Sequence, residues 1–323
     1  MRALFRRAPE KDVEGVSLHP QLAALLERAA RSPLPKYHDV SPFVARRIYR
    51  DTRAALAPKP PEAVEVRLLA FENHALRAYR PAGAGKLPAL VYFHGGGWTI
   101  GDVDTHDTLC RQLAVGARCA VFSVDYRLAP EHPFPAAVED CLAATRFVCE
   151  KAGELNIRGV AVGGDSAGGN LAAVVALQAR DSGGPKLAFQ LLVYPATDQR
   201  LGSASHERNA HGYLLERESI EFFRRCYLPQ ARDYADWRAS PLLAKDHRAL
   251  PPALVVTAGY DPLVDEGRAY AERLRAAGVE VAYREYPDMV HGFLLMGGVL
   301  DTANAAVAEC CAALRAAFER MDA

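Results

Sequence analysis

The sequence predicts an α/β protein built on a mostly parallel sheet with helices on both faces. Short runs rich in Val, Leu and Phe alternate with longer helical segments from ALVYFHGGG onward. Those runs lack a polar alternate face, as strands buried on both sides do. Glycine-rich turns join strand to helix at ALVYFHGGG and GVAVGGDSAGG. The chain has 323 residues, half of them hydrophobic, enough for one large α/β domain or two ordinary ones.

Residues 17–56 read as helical, with Leu22, Leu25, Leu26 and Ala29 spaced for one face and a second segment, Ser41 to Leu56, opened by Ser-Pro. APKPPEA at 57–63 breaks that pattern, and the strand-like VEVRLLAF and ALRAYRP follow. Then come the strand ALVYF, the helix DTLCRQLAV, the strand AVFSV and the helix AAVEDCLAATRFVCEKAG. GVAV, the helix NLAAVVALQARD and the strand FQLLVYP continue the alternation. It fails at 199–240, which is polar, aromatic-spotted and expected to be mostly helical. It resumes with PPALVVTAGYDPL, a helix over EGRAYAERLRAAG, the strand VEVAYREYP and a last helix from about 301 to 320. The division that follows is 1–57 as N-terminal cap helices, 58–198 with 241–323 as the catalytic core, and 199–240 as a cap insertion. Both outer pieces are expected over the carboxyl edge of the sheet, where ligands of open α/β sheets bind.

The 39 basic residues balance the 39 acidic ones without a basic, aromatic-interleaved stretch, which argues against a nucleic-acid partner. LPALVYF and LAAVVAL are too short to span a bilayer, and MRALFRRAPEKDVEG lacks the apolar segment of a secretion signal, so no membrane partner and a cytoplasmic location are expected. Seven cysteines without regular spacing read as packing residues. GDVDTHD at 101–107 has carboxylates at close spacing but lacks the Gly and distal Glu of a calcium loop, so helix capping is the preferred reading and no metal is expected. No zinc, P-loop or dinucleotide fingerprint occurs, so no cofactor is expected.

GDSAG at 164–168 fits G-x-S-x-G between a strand and a helix, the context in which Ser166 is a nucleophile on a tight turn. A serine hydroxyl needs a histidine to take its proton and a carboxylate to orient that histidine. His291 follows the last predicted strand and Asp261 the one before it, in the chain order expected of this architecture. Asp261 is preferred to Asp265, which opens a helix, and to Asp288, which shares the His291 loop. His206 and His211 are read as solvated and His94 as structural. HGGGW at 94–98 offers the amides of Gly96 and Gly97 to an oxyanion, with Ala167 as third donor. Phe43, Trp98, Tyr213, Leu214 and Leu215 are expected to place apolar bulk over the nucleophile and close a substrate pocket.

Taken together, HGGGW, DYRLAPEHPFPAA at 125–137, GDSAGGN, DPL and HGF resemble the hormone-sensitive-lipase-like group of α/β-hydrolases, the bacterial family IV carboxylesterases of GDSAG type, over about residues 60–295. The resemblance implies an eight-stranded, mostly parallel sheet with a helical cap. It implies hydrolysis of a small-molecule acyl ester of short to medium chain without cofactor, and is compatible with a homodimer. Amidase, lactonase and deacetylase activities share the chemistry. A non-catalytic receptor, as the plant gibberellin receptor is on a similar fold, is disfavoured by the presence of His291.

Overall fold

The structure is a computed structural model that describes residues 15–31, 33–72 and 74–321. MRALFRRAPEKDVEG therefore lies outside the described residues, except for Gly15. Helix α1 (Pro20–Arg31) buries Leu22, Leu25 and Leu26, and α2 (Pro42–Leu56) buries Ala45, Tyr49 and Leu56. Ser41 caps α2, its hydroxyl accepting from the Val44 amide at 3.4 Å, and Pro42 occupies a position where no amide is needed.

The strands are β1 (Val64–Phe71), β2 (His74–Pro81), β3 (Leu87–Phe93), β4 (Ala120–Val124), β5 (Ile157–Asp165), β6 (Gln190–Val193), β7 (Ala253–Tyr260) and β8 (Val281–Val290). They form one 8-stranded sheet in the order β1-β2-β4-β3-β5-β6-β7-β8. β1 pairs with β2, and β2 with β4, antiparallel; every other pairing is parallel. The helices between and after them are α3 (Asp107–Ala117), α4 (Ala136–Glu150), α5 (Ala167–Asp181), α6 (Ser205–Arg208), α7 (Arg217–Tyr227), α8 (Val264–Ala276) and α9 (Asp301–Glu319).

Alternation along β3 divides the core into two layers. Ala89, Val91 and Phe93 join the cluster formed with α4, α5 and α8, whereas Leu90 and Tyr92 join the cluster that holds α3, α9 and the leucines of α1. Strand order reverses around β3, whose two neighbours are β4 and β5, and a crevice opens at such a point at the carboxyl ends. Register then positions the loops. Phe93 pairs with Gly164, so the loops after β3 and β5 start side by side. Tyr260 pairs with Val290, so Asp261 and His291 leave neighbouring strands as neighbours.

Between β6 and β7 the chain is less helical than its sequence suggests, with α6 and α7 separated by turns. Asp198 and Asp236 accept hydrogen bonds from the amides of Arg200 and Arg238, two residues ahead, which favours turns over helix. This segment meets the N-terminal helices: Lys36 pairs with Glu216 at 2.8 Å, and the rings of Tyr37 and Phe223 lie 5.8 Å apart. Among the described residues no helix is long and apolar enough to cross a membrane.

Leu22 is fully buried, whereas Leu68 on the edge strand β1 is 72% exposed. Leu22→Ala is therefore expected to lower the unfolding free energy by about 3 kcal/mol, as large-to-small core changes do. Leu68→Ser is expected to stay within about 0.5 kcal/mol of the parent. Urea titrations check both; a neutral Leu22→Ala would show that α1 is not part of the folded core.

Candidate active site

Ser166 sits between β5 and α5 with φ 57° and ψ −118°, a conformation that costs a non-glycine residue free energy. It is held there by the closeness of its surroundings. A Cβ on Gly168 would lie 1.9 Å from the Phe93 carbonyl oxygen, and one on Gly164 would lie 2.4 Å from the same atom. The Ser166 amide donates to the Val193 carbonyl of β6 at 2.8 Å. Its hydroxyl is thus presented at the carboxyl edge of the sheet.

The side chains the sequence singled out converge on it. His291 Nε2 lies 2.9 Å from Ser166 Oγ, and His291 Nδ1 lies 2.7 Å from Asp261 Oδ2. Asp261 is fully buried, and its other oxygen accepts from the Leu263 amide at 2.8 Å. Asn209, in the segment between β6 and β7, donates to the carbonyls of Gly259 and Asp261 at 3.0 Å each and braces that strand end. Asp265 instead accepts from the Ser205 amide and pairs with Arg208, and the Asp288 carbonyl accepts from the His19 amide.

Gly96, Gly97 and Ala167 line the same cavity as Ser166 and His291. Their amides have no acceptor among the described residues. Gly96 has φ +128°, open to glycine alone, and its carbonyl is turned away to accept from Thr99 and Ile100. The cavity measures about 520 Å³ and has a mainly apolar lining that includes Leu25, Leu26, Ile48 and Met296. Such a space holds a small molecule.

Of the expected pocket residues, Trp98, Leu214 and Leu215 line the cavity, and Trp98 stacks on Tyr227 with centroids 4.4 Å apart. Phe43 does not: it is 73% exposed, because at about 100° per residue it falls on the side of α2 away from Ala45, Tyr49 and Leu56. Tyr213 is buried against Tyr260, with ring centroids 4.9 Å apart, and does not line the cavity. Adjacent residues in a bend cannot all face one way, and it is Leu214 and Leu215 that turn inward. His206 is not solvated as expected. It is buried, 2.8 Å from Glu266, whose other oxygen accepts from the Thr197 amide at 2.6 Å. His211 is exposed.

Sequence reasoning passed over Asp165. Its carboxylate accepts from Tyr92 Oη at 2.8 Å and the Gly95 amide at 3.1 Å, and lies 3.1 Å from His106 Nε2. It thereby ties the serine turn to the glycine loop. Burial raises its pKa, but His106 and the Tyr92 hydroxyl outweigh that and hold the carboxyl down at about 2. GDVDTHD is absorbed locally: His106 joins Asp165, Asp102 pairs with Arg50 at 2.5 Å, and Asp107 pairs with Arg111 at 2.7 Å. No group of three or more potential metal ligands occurs among the described residues. All seven cysteines are free; burial pushes Cys149 and Cys311 up to about 11.

Residues 90–295 match a family described as having the alpha/beta hydrolase fold. The carboxylic ester hydrolase LipN of Mycobacterium tuberculosis is 43% identical over 96% of this chain and 85% of its own. An ethyl acetate hydrolase of Pseudomonas putida is 40% identical over 90% of this chain and 96% of its own. Among solved structures, an ester hydrolase from the metagenome of Lake Arreo matches with a TM-score of 0.90 at 44% identity, covering 94% of this chain and 99% of that one. A hyperthermophilic esterase from the archaeon Pyrobaculum calidifontis matches with a TM-score of 0.88 at 38% identity, covering 93% and 99%.

His94, fully buried, stacks on Tyr126 with centroids 4.2 Å apart and bonds to the Gly95 carbonyl at 2.9 Å. Burial, and after it the neighbouring His106, pushes its imidazole down to about 4. The unfolded chain therefore binds a proton below about pH 6.5 that the folded chain refuses until about pH 4. His94 thus contributes stability that is lost as pH falls across that window, by about 1.4 kcal/mol per pH unit. Urea unfolding at a series of pH values is expected to show a shallower acid slope in His94→Asn by about one proton. Equal slopes would place the linkage elsewhere.

Proposed function

We propose a reaction for this protein from the premise that the chain belongs to the alpha/beta hydrolase family, in its hormone-sensitive-lipase-like group, and is a carboxylic ester hydrolase. Ser166 Oγ attacks the ester carbonyl carbon while His291 Nε2 takes its proton, and Asp261 holds the imidazole in place and stabilises its charged form. The carbonyl oxygen becomes an oxyanion facing the amides of Gly96, Gly97 and Ala167, each worth about 3 kcal/mol to the transition state in comparable sites. The C–O bond to the alcohol then breaks, and the alcohol leaves with the proton from His291. Water adds to the acyl-Ser166 ester, giving its proton to His291. Collapse releases the carboxylic acid and returns the proton to Ser166.

The observation that carries this reading is the unbroken relay from Asp261 through His291 to Ser166, at 2.7 and 2.9 Å, opening into a cavity lined by unengaged amides. Preference for short to medium acyl chains is supported by the size of that cavity, about 520 Å³, and by the roof that α1, α2 and the α7 segment build over it. Each buried methylene contributes about 0.8 kcal/mol until the space is filled.

Ser166→Ala is expected to melt like the parent yet lose ester hydrolysis by about 10⁴-fold or more, because the three residues act as a unit. Intact mass after treatment with a phosphonate ester is expected to show one adduct, mapped to Ser166. Turnover that survives the substitution, or an adduct on another serine, would move the nucleophile. Across p-nitrophenyl esters, kcat/KM is expected to rise from acetate to butyrate or hexanoate and to fall beyond octanoate. A maximum at palmitate would overturn the closed-cavity reading.

A further inference from the structure

Three carboxylates line the cavity, and each has partners: Asp165 meets His106 and Tyr92, Glu216 meets Lys36, and Glu266 meets His206 and the Thr197 amide. Lys36, also in the lining, is spent on Glu216. Arg53 differs. It projects from α2 into the lining, and no carboxylate lies within ion-pair distance of it among the described residues. Among the described residues its one side-chain hydrogen bond is long: Nη1 donates to the Gly292 carbonyl at 3.3 Å. Nε is sealed from solvent and has no partner among the described residues. The flat of the guanidinium lies 4.8 Å from the Tyr49 ring centroid, and Nη2 has no acceptor among the described residues.

A guanidinium without a carboxylate partner beside an apolar cavity is costly unless something occupies its remaining donors. Gly292 follows His291, so this guanidinium stands one residue from the histidine that faces Ser166. We propose that Arg53 binds a carboxylate carried by the substrate, so that the ester this protein is built for is a monoanion. It is either a half-ester of a dicarboxylic acid or an ester of a hydroxy acid. Planar, bidentate pairing of a guanidinium with a carboxylate gives both attraction and orientation, and it places the ester carbonyl relative to Ser166. The inference rests on the esterase reading above.

Matched substrate pairs test it, with the acid on either side of the scissile bond. On the acyl side, mono-p-nitrophenyl adipate and suberate are compared with p-nitrophenyl hexanoate and octanoate. On the alcohol side, para-acetoxybenzoate is compared with para-tolyl acetate. In at least one series the anionic member is expected to have kcat/KM at least about tenfold higher, through KM, as befits a hydrogen bond to a charged group. Arg53→Met is expected to bring that ratio to about one, and Arg53→Lys, which keeps the charge but not the fork, to leave an intermediate ratio. A ratio near one in the parent protein for every pair overturns the proposal without further variants. So does a preference that persists in Arg53→Met, including the case where both members slow by the same factor because Arg53 only holds the His291 loop. Failure to hydrolyse any member would instead overturn the esterase reading, and this one with it.

Discussion

Backbone against backbone, at the place where the turn after β5 presses on the last carbonyl of β3, is the contact on which the rest of the site depends. Gly164 and Gly168 leave no room for side chains beside the Phe93 oxygen, and only that closeness permits Ser166 its unfavourable φ of 57°. The loop after β3 is brought beside the first turn of α5 by the same contact. Amides from two distant parts of the chain therefore share one cavity with the serine. The Asp261 and His291 side chains come from the other side, and there the constraint is register: pairing Tyr260 with Val290 fixes where both loops begin.

Buried carboxylates with fixed hydrogen-bond partners hold these loops in single arrangements. Asp165 with His106 joins the serine turn to the glycine loop, and Glu266 with His206 joins α8 to the segment after β6. Asp140 of α4 receives Arg127 in a two-pronged grip, with Nη2 at 2.6 Å and Nε at 3.0 Å, which anchors the DYRLAPEHPFPAA stretch. Such pairs add little net stability once desolvation is counted. Their effect is geometric, because each loop is tied by a bond that forms in one position only.

The sheet, the helices around it and the positions of Ser166, Asp261 and His291 at strand ends were legible because local pattern determines them. Burial on both faces writes continuous apolar runs, and a strand-to-helix turn around a serine writes glycines. Residues whose surroundings come from afar were not legible. His206 in a polar segment looks solvated until Glu266, 60 positions away, is brought against it. Phe43 looks like a lid residue by composition alone, whereas the phase of α2 turns it outward. Arg53 carried no signal: it is one arginine among several on α2, and only the cavity beneath distinguishes it.

The roof of the cavity is assembled from pieces that are remote in sequence, α1 and α2 before the sheet begins and the α7 segment between β6 and β7. They are joined by side chains, Lys36 with Glu216 and Tyr37 with Phe223, and not by chain continuity. Among the described residues α1, α2 and the α7 segment supply no strand to the sheet beneath. In evolutionary terms the two halves form a combinatorial lock: drift in one alters half of the cavity wall while Ser166, His291, Asp261 and the other half persist. Selectivity can then diverge in small steps on an unchanged reaction.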